Sequence, residues 1–516
     1  MFRKILIANR GEIAVRILRA CQELAIPAVA VYSQADAQAL HVRLAHEAVC
    51  IGPPAPTDSY LRGERLVEAA LETGCDAIHP GYGFLAESAS FAQMVQDAGL
   101  TFIGPPPQAI AQMGVKTQAR ALMQEAGVPV VPGYAGGTSD EDFARAAQRM
   151  GYPVMVKAAG GGGGIGLQVV EEPAALPEAL ATARQAAQQA FGDPTVFLEK
   201  YIAQGRHVEV QILADHHGNV IHLFERDCSV QRRHQKIVEE APSPALDPPL
   251  REALGRAAVT AARAVGYVNA GTVEFLLDQD RRFYFLEMNT RLQVEHPVTE
   301  LITGVDLVRA QIAIAAGQPL PVAQDQVRPR GHAMECRLYA EDPARGFLPV
   351  TGRIHRLVEP SGPGVRVDSG VAAGDEVTAH YDPLLAKLIV WAEDRELARR
   401  RMLWALGRYT LLGLTTNLAF LRAVVAHPTF QAGAATTAFV SREMAGWQPG
   451  SHRLDVAALI AAALAEESSD ADMDWVTDSG RQAMPDPWAR PDGFRLGGGF
   501  WPPGATARGT TRGTAG

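Results

Sequence analysis

The sequence predicts an α/β protein of more than one domain, and three observations carry that prediction. Residues 3–32 run as an apolar stretch, a helical pattern and a second apolar stretch, the strand, helix, strand unit of a doubly wound sheet. Five consecutive glycines, 160–164, sit between two strand-like segments. Residues 271–300 read as a hairpin with a glutamate on each strand. At 516 residues there is ample chain for several domains and a sizeable core.

Composition narrows the function classes. A hydrophobic fraction of 47% and a charged fraction of 20% are those of a soluble globular chain. The net charge of -9 argues against broad nucleic-acid binding, which needs a basic surface. No apolar run approaches a membrane span, and MFRKILIANRGEIA lacks a signal peptide's apolar core and cleavage site, so no membrane role and a cytoplasmic location are expected. The five cysteines are scattered without metal-ligand spacing, and an odd count fits reduced thiols.

In chain order, residues 3–8 form a buried strand followed by Asn9, Arg10 and Gly11, then a helix through Ile13, Ile17, Leu18 and Cys21, then a strand at 28–32. That loop is not a GxGxxG fingerprint, so it does not indicate a dinucleotide. Further strands fall at 77–79 and 101–103, with the turn PGYGFLAES at 80–88. A helix opens at Lys116 and ends near Gly127, and a strand at 153–157 ends on Lys157. Five glycines carry too large a backbone entropy cost to be there for packing. A loop whose amides, including those of Gly162, Gly163 and Gly164, close over phosphate explains them, with Lys157 supplying charge. A strand at 196–198 leads to EKYI, with Glu199 and Ile202, and in the strand HVEVQIL His207 projects the same way as Glu209 and Gln211. Gln231, His234 and Lys236 stand among Arg232 and Arg233, a density of donors that suits an anion.

The hairpin runs through strands at 272–277 and 283–288, which place Glu274 and Glu287 on facing positions. Two carboxylates there repel unless a cation lies between them. Mg²⁺ carrying a nucleotide prefers oxygen ligands, and Asn289 offers a third. Arg291, Gln293 and Glu295 alternate, so in an extended segment they leave one face together as cation, amide and base. Taken singly, such residues are usually a solvated face. Phe275, Leu276, Phe285 and Leu286 imply a buried hairpin instead, where unpaired carboxylates are costly. A helix at 301–316, strands at 352–358, 365–368 and 387–391, and helices at 394–408 and 416–425 complete the pattern. Beyond 446 a short Ala-rich helix at 454–466 gives way to a low-complexity end that is expected to be disordered.

The runs EMNTRLQVEHPVTE at 287–300, HVEVQ at 207–211 and ERDCSVQRRHQKIVEEAP at 225–242 resemble biotin carboxylase, the ATP-grasp component of biotin-dependent carboxylases, and the resemblance covers residues 1 to about 446. It implies an ATP-grasp fold with an amino-terminal doubly wound domain over 1–112, the ATP-grasp domain over 113–330 with a lid at about 131–203, an α+β carboxy-terminal domain over 331–446, and a variable tail over 447–516. It implies ATP with two Mg²⁺ (or Mn²⁺) ions. Biotin is a substrate carried on a carrier protein or domain, not attached to this chain, and a carboxyltransferase subunit and a homodimer are further implied partners. Lys116, Lys157, Gly162, Gly163, Gly164, Glu199, Ile202, His207, Gln231, His234, Glu274 and Glu287 would serve the nucleotide, with Glu274, Glu287 and Asn289 on metal. Lys236, Arg291, Gln293, Val294, Glu295 and Arg337 would bind bicarbonate and biotin. Glu295 would be the base, held in place by Arg291, and Arg337 would stabilise the biotin enolate.

Two features depart from the pattern. Ile165 stands where the family usually has a basic or polar residue, and no biotinyl motif of the AMKM kind occurs, although PDPWARPDGFRLGGG resembles the region that follows the biotin carboxylase part in acyl-CoA carboxylase alpha subunits. A separate carrier polypeptide and a shortened alpha subunit both fit that. Two rival readings are another carboxyphosphate-forming ATP-grasp enzyme, of the carbamoyl-phosphate synthetase type, and a non-catalytic nucleotide-binding subunit.

Overall fold

In the computed structural model, which describes residues 1–135, 139–159, 167–232 and 235–450, the amino-terminal strands form a five-stranded parallel sheet. Its order is Glu47–Gly52, Ala28–Ser33, Ile5–Ile7, Ala77–His79, Thr101–Phe102, with every pairing parallel. The three inner strands are buried along almost all their length, as parallel strands covered on both faces must be. The helix Gly11–Glu23 buries Ile13, Ile17, Leu18 and Cys21, the four positions its sequence spacing placed inward.

An eight-stranded sheet, antiparallel throughout, carries the predicted hairpin at one edge. Its order is Phe283–Asn289, Asn269–Leu277, Arg206–Ala214, Val220–Arg232, Gln235–Ala241, His332–Tyr339, Leu384–Ala392, Val365–Ser369. Glu274 stands opposite Glu287 and Thr272 opposite Asn289. Because Gln235–Ala241 pairs with His332–Tyr339, one sheet runs continuously past residue 330. A separate antiparallel sheet of Gly133–Tyr134, Val196–Lys200, Val154–Ala158 and Gln168–Val170 packs with the helices Asp140–Met150 and Leu176–Phe191 over its own core of Phe143, Val156, Leu180 and Leu198. Gly162, Gly163, Gly164 and Ile165, His234 and the helix predicted at 454–466 lie outside the described residues.

Two elements differ from their sequence reading. The helix predicted at 301–316 is two helices, His296–Thr303 and Leu307–Ala315. Gly304 ends the first in the left-handed region at φ 74°, and Asp306 caps the second by accepting from Arg309 N at 2.8 Å. The strand predicted at 352–358 is two short strands with different partners, Gly352–Arg353 on Glu376–Val377 and Arg356–Val358 on Thr410–Leu412. Among the described residues no helix is long and apolar enough to cross a membrane.

An ion cluster ties three regions of the chain together. Arg16 of the first helix reaches Glu300 at 2.9 Å and Asp306 at 2.8 Å, while Arg366 reaches Glu300 and Asp368, both at 2.7 Å. Burial pushes the Asp368 carboxyl up, but Arg366 and Lys387 outweigh it and hold it far below its ordinary range. A depressed folded value stabilises the fold above the ordinary aspartate value of about 3.9, and that stabilisation is lost as pH falls toward the folded value. Asp368→Asn is therefore expected to lower the urea midpoint at pH 7 and to flatten its dependence on pH below about 4, where the parent loses this contribution.

Candidate active site

A cavity of about 760 Å³ opens between the hairpin edge of the large sheet and the four-stranded sheet. Every sequence-predicted site residue that the structure describes lines it. Lys116 comes from a helix start, Lys157 and Glu199 from the smaller sheet and Ile202 from the loop after it, His207, Gln231, Lys236, Glu274, Glu287 and Asn289 from the large sheet, and Arg291, Gln293, Val294 and Glu295 from the segment after it. Arg337 closes the far end from the strand His332–Tyr339. Residues far apart in the sequence, such as His207 and Arg337, meet here because strands of one sheet carry them.

The centre of the cavity wall is one ammonium among three carboxylates. Lys236 Nζ donates to Glu274 at 2.8 Å, to Glu295 at 2.7 Å and to Glu209. Burial alone depresses a lysine; here the carboxylates outweigh it and hold Lys236 well above its ordinary value. Glu274 and Glu295 answer in the opposite sense. Burial pushes both up, but Lys236, with His207 beside Glu274 and Arg337 beside Glu295, brings both well below the carboxylate range. Burial likewise opposes a charged His207, and Glu274 at 2.9 Å overcomes it, so its value rises. Ligand atoms of His207, Glu209 and Glu274, and of Glu209, Cys228 and Glu295, lie within 4.8 Å of one another. Lys236 already supplies the cation at those carboxylates.

The predicted metal set shares Glu274 with the first of these clusters and adds Glu287 and Asn289. Glu274 and Glu287 are directly opposed on the hairpin and Asn289 is the next residue along on the same face, a hard oxygen set that suits Mg²⁺. Glu287 pairs with Lys116 at 3.2 Å, both partly exposed, and Asn289 donates to Glu274 at 2.8 Å. The residues fit a nucleotide-borne divalent ion: they face the cavity, and the partly exposed Lys116 is the only cation on Glu287 among the described residues. Lys157 and Arg120 both bind Glu199, the latter at 3.0 Å, and Gln231 donates to the Cys228 carbonyl at 3.0 Å.

One assignment is corrected. The partner predicted to hold Glu295 was Arg291, but Arg291 pairs with Glu87 at 2.9 Å and donates to Asn289 at 3.1 Å. Glu295 is held by Arg337 at 2.8 Å and by Lys236. The alternation argument needed an extended segment, whereas residues 290–295 are irregular and turn at Val294 and Glu295 into the helix His296–Thr303.

Sequence reasoning passed over several supports. Arg226, with no exposed surface, donates to Glu209 at 2.6 Å, Gln211 at 2.7 Å, Gln293 at 2.8 Å, Thr299 at 3.0 Å and Thr272 at 3.1 Å. Lys387, also without exposed surface, donates to the Val294 carbonyl at 2.8 Å and pairs with Glu12 at 3.2 Å. The signal for Lys387 was a lone cation in the otherwise apolar strand LLAKLIVWA, which must find buried acceptors, whereas Arg226 stands between Glu225 and Asp227 and carried no such signal.

Family models match the chain in three consecutive stretches. The biotin carboxylase N-terminal domain matches residues 1–110, the ATP binding domain of the carbamoyl-phosphate synthase L chain 115–323, and the biotin carboxylase C-terminal domain 335–442. The biotin carboxylase of Halalkalibacterium halodurans is 54% identical over 445 residues, 86% of this chain and 98% of that protein. The mitochondrial methylcrotonoyl-CoA carboxylase subunit alpha of Oryza sativa subsp. japonica is 54% identical over 442 residues, 85% of this chain but 60% of that protein. Among solved structures, the biotin carboxylase domain dimer of the Hydrogenobacter thermophilus 2-oxoglutarate carboxylase, in complex with MgADP, ADP and bicarbonate, superposes with a TM-score of 0.83 at 48% identity, covering 86% of this chain and 98% of that one. The Campylobacter jejuni biotin carboxylase complex gives 0.83 at 44% identity, over 86% of this chain and 99% of that one. The middle match alone leaves the two ATP-grasp chemistries open; the flanking matches at both ends decide between them, and the chain belongs to the biotin carboxylase family, with its ATP-grasp fold.

Proposed function

We propose that this chain catalyses the first half-reaction of a biotin-dependent carboxylase, the ATP-dependent carboxylation of biotin with bicarbonate through carboxyphosphate. The observation that carries the reading is the joining of a phosphate-binding wall and a carboxylate, ammonium and guanidinium triad, Glu295, Lys236 and Arg337, in one cavity. Glu274, Glu287 and Asn289 would hold the divalent ions, two Mg²⁺ or Mn²⁺, which when bound offset phosphate charge. Lys116 and Lys157 would neutralise the remaining phosphate charge, while Glu199, Ile202, His207 and Gln231 would border the nucleotide, and the same reading assigns His234, which lies outside the described residues, to it. The same reading assigns Gly162 to Gly164, which lie outside the described residues, to the phosphates.

Bicarbonate sits against Lys236, Arg291, Gln293 and Val294, with Glu295 taking its proton as its oxygen attacks the γ-phosphorus and ADP leaves. Glu295 is ionised in its resting pairing, where Lys236 and Arg337 outweigh burial. Carboxyphosphate then splits into CO₂ and phosphate. The phosphate takes the biotin ureido proton, and the enolate, stabilised by Arg337, attacks CO₂. Guanidinium suits that task because it stays charged and presents planar donors.

The same reading divides the chain into residues 1–112, 113–330, 331–446 and a tail at 447–516, and gives it a biotin carboxyl carrier, a carboxyltransferase subunit, a homodimeric state and a cytoplasmic location. The methylcrotonoyl-CoA carboxylase relatives support a role beside a carboxyltransferase, which would select the acyl-CoA.

Phosphate release by the purified chain with Mg-ATP tests the function. It should require bicarbonate and rise with free biotin, and Arg337→Ala should remove the biotin response. Bicarbonate-independent hydrolysis, or transfer to an amino group, would overturn the reading. Lys116→Met removes one charged contact to phosphate, worth about 1.5–3 kcal/mol, so KM for ATP should rise about 10- to 100-fold with the bicarbonate KM little changed.

A further inference from the structure

Behind Arg337 lies a pair of acids that the mechanism above does not use. Glu239 on Gln235–Ala241 and Glu335 on His332–Tyr339 stand directly opposite each other across the two strands, and neither has any exposed surface. Arg337 Nε donates to Glu239 Oε1 at 2.6 Å. Among the described residues, Glu239 Oε2 and both oxygens of Glu335 have no hydrogen-bond partner. A buried carboxylate with neither oxygen bonded is among the costliest groups a protein can hold, whereas the neutral acid is far cheaper.

The neighbouring charges do not supply the missing partner. Lys387 lies beside Arg337 in the strand register, but its ammonium is taken by the Val294 carbonyl and Glu12. Lys236 is bonded to Glu209, Glu274 and Glu295, and Arg337 to Glu239 and Glu295. Of the other titratable groups beside the pair, Glu295 is bonded to Lys236 and Arg337, and the Cys228 and Cys336 thiols are held neutral by burial, with neighbouring carboxylates adding to the effect.

We propose that Glu335 stays protonated in the folded enzyme and, as the neutral half of a Glu239–Glu335 pair, leaves Arg337 facing one carboxylate of that pair rather than two. A second negative charge at this depth would take up more of the guanidinium's field and leave less of it for the biotin enolate. Glu335 is thus a residue that sets the charge environment of Arg337 without touching substrate. In support, burial pushes Glu335 well above the carboxylate range in spite of Lys387, with Glu239 adding to the rise. Glu239 itself is pushed up to about 7, by burial first and against Arg337.

The inference rests on the biotin carboxylation proposed above, and two readouts separate the failures. In infrared spectra of the whole chain at a pH well above 7, where Glu239 is ionised, the carbonyl stretch of a protonated carboxylic acid should be present in the parent and lost in Glu335→Gln. Glu239→Gln removes the like charge opposite, so that band should titrate away at a pH lower by about one unit or more. In kinetics, the alkaline fall of the biotin-stimulated rate should move to higher pH in Glu335→Gln and return to the parent position in Glu335→Asp, while the bicarbonate-dependent rate without biotin keeps its parent pH profile. A parent without the band, or a Glu335→Gln variant that retains it or keeps the parent's alkaline fall, overturns the proposal. A parent with the band but with no biotin stimulation instead sinks the functional reading, because the band depends on no substrate.

Discussion

Glu295→Gln is expected to reduce bicarbonate-dependent phosphate release from Mg-ATP by about 10²- to 10⁴-fold, the range for loss of a positioned base. The amide keeps the shape and one acceptor oxygen but cannot take a proton. The fold should tolerate it, since Lys236 retains Glu209 and Glu274, and Arg337 retains Glu239 at 2.6 Å. Nucleotide binding should be spared as well, because Lys116, Lys157 and Glu199 stand on other elements. Phosphate release with Mg-ATP and bicarbonate, beside nucleotide affinity by equilibrium titration, distinguishes a lost base from a lost site. A variant with near-parent turnover would remove Glu295 from the chemistry and shift the proton's destination to the nucleotide itself.

Arg226→Met should cost about 3–5 kcal/mol of stability, the loss expected when one partner of a fully buried charge network is taken away. Arg226 joins three strands and the active-site segment through donors to Glu209, Gln211, Thr272, Gln293 and Thr299. Its removal leaves Glu209 with Lys236 as its remaining cationic hydrogen-bond donor and frees Gln293, which also donates to Glu274 at 2.9 Å. The urea midpoint should therefore fall together with bicarbonate turnover. Arg226→Lys should recover little of either, because an ammonium cannot reproduce a planar fork that bonds five side chains. Unchanged stability in Arg226→Met would mean that the network costs as much to desolvate as it returns.

The local patterns were legible because they are short-range. Period-two alternation and turn residues place 272–277 and 283–288 as a hairpin, and the opposition of Glu274 and Glu287 follows from strand pairing alone. The first helix put Ile13, Ile17, Leu18 and Cys21 inward by spacing, as the structure has them. The long helix at 301–316 was misread because its apolar spacing continues through Gly304, where only the left-handed turn and the Asp306 cap reveal the break.

The sequence by itself determined the fold class, the family and which polar residues gather at the cavity, because motif runs such as EMNTRLQVEHPVTE carry side-chain types at fixed spacing along one short stretch of chain. Only the tertiary structure decided who holds whom. Glu295 belongs to Arg337 and Lys236 rather than to Arg291, Glu274 to Lys236 and His207, and Val294 to a lysine more than ninety positions away. Those pairings depend on strand order in an eight-stranded sheet and on the irregular path of residues 290–295, and neither is written in the local spacing of any one segment.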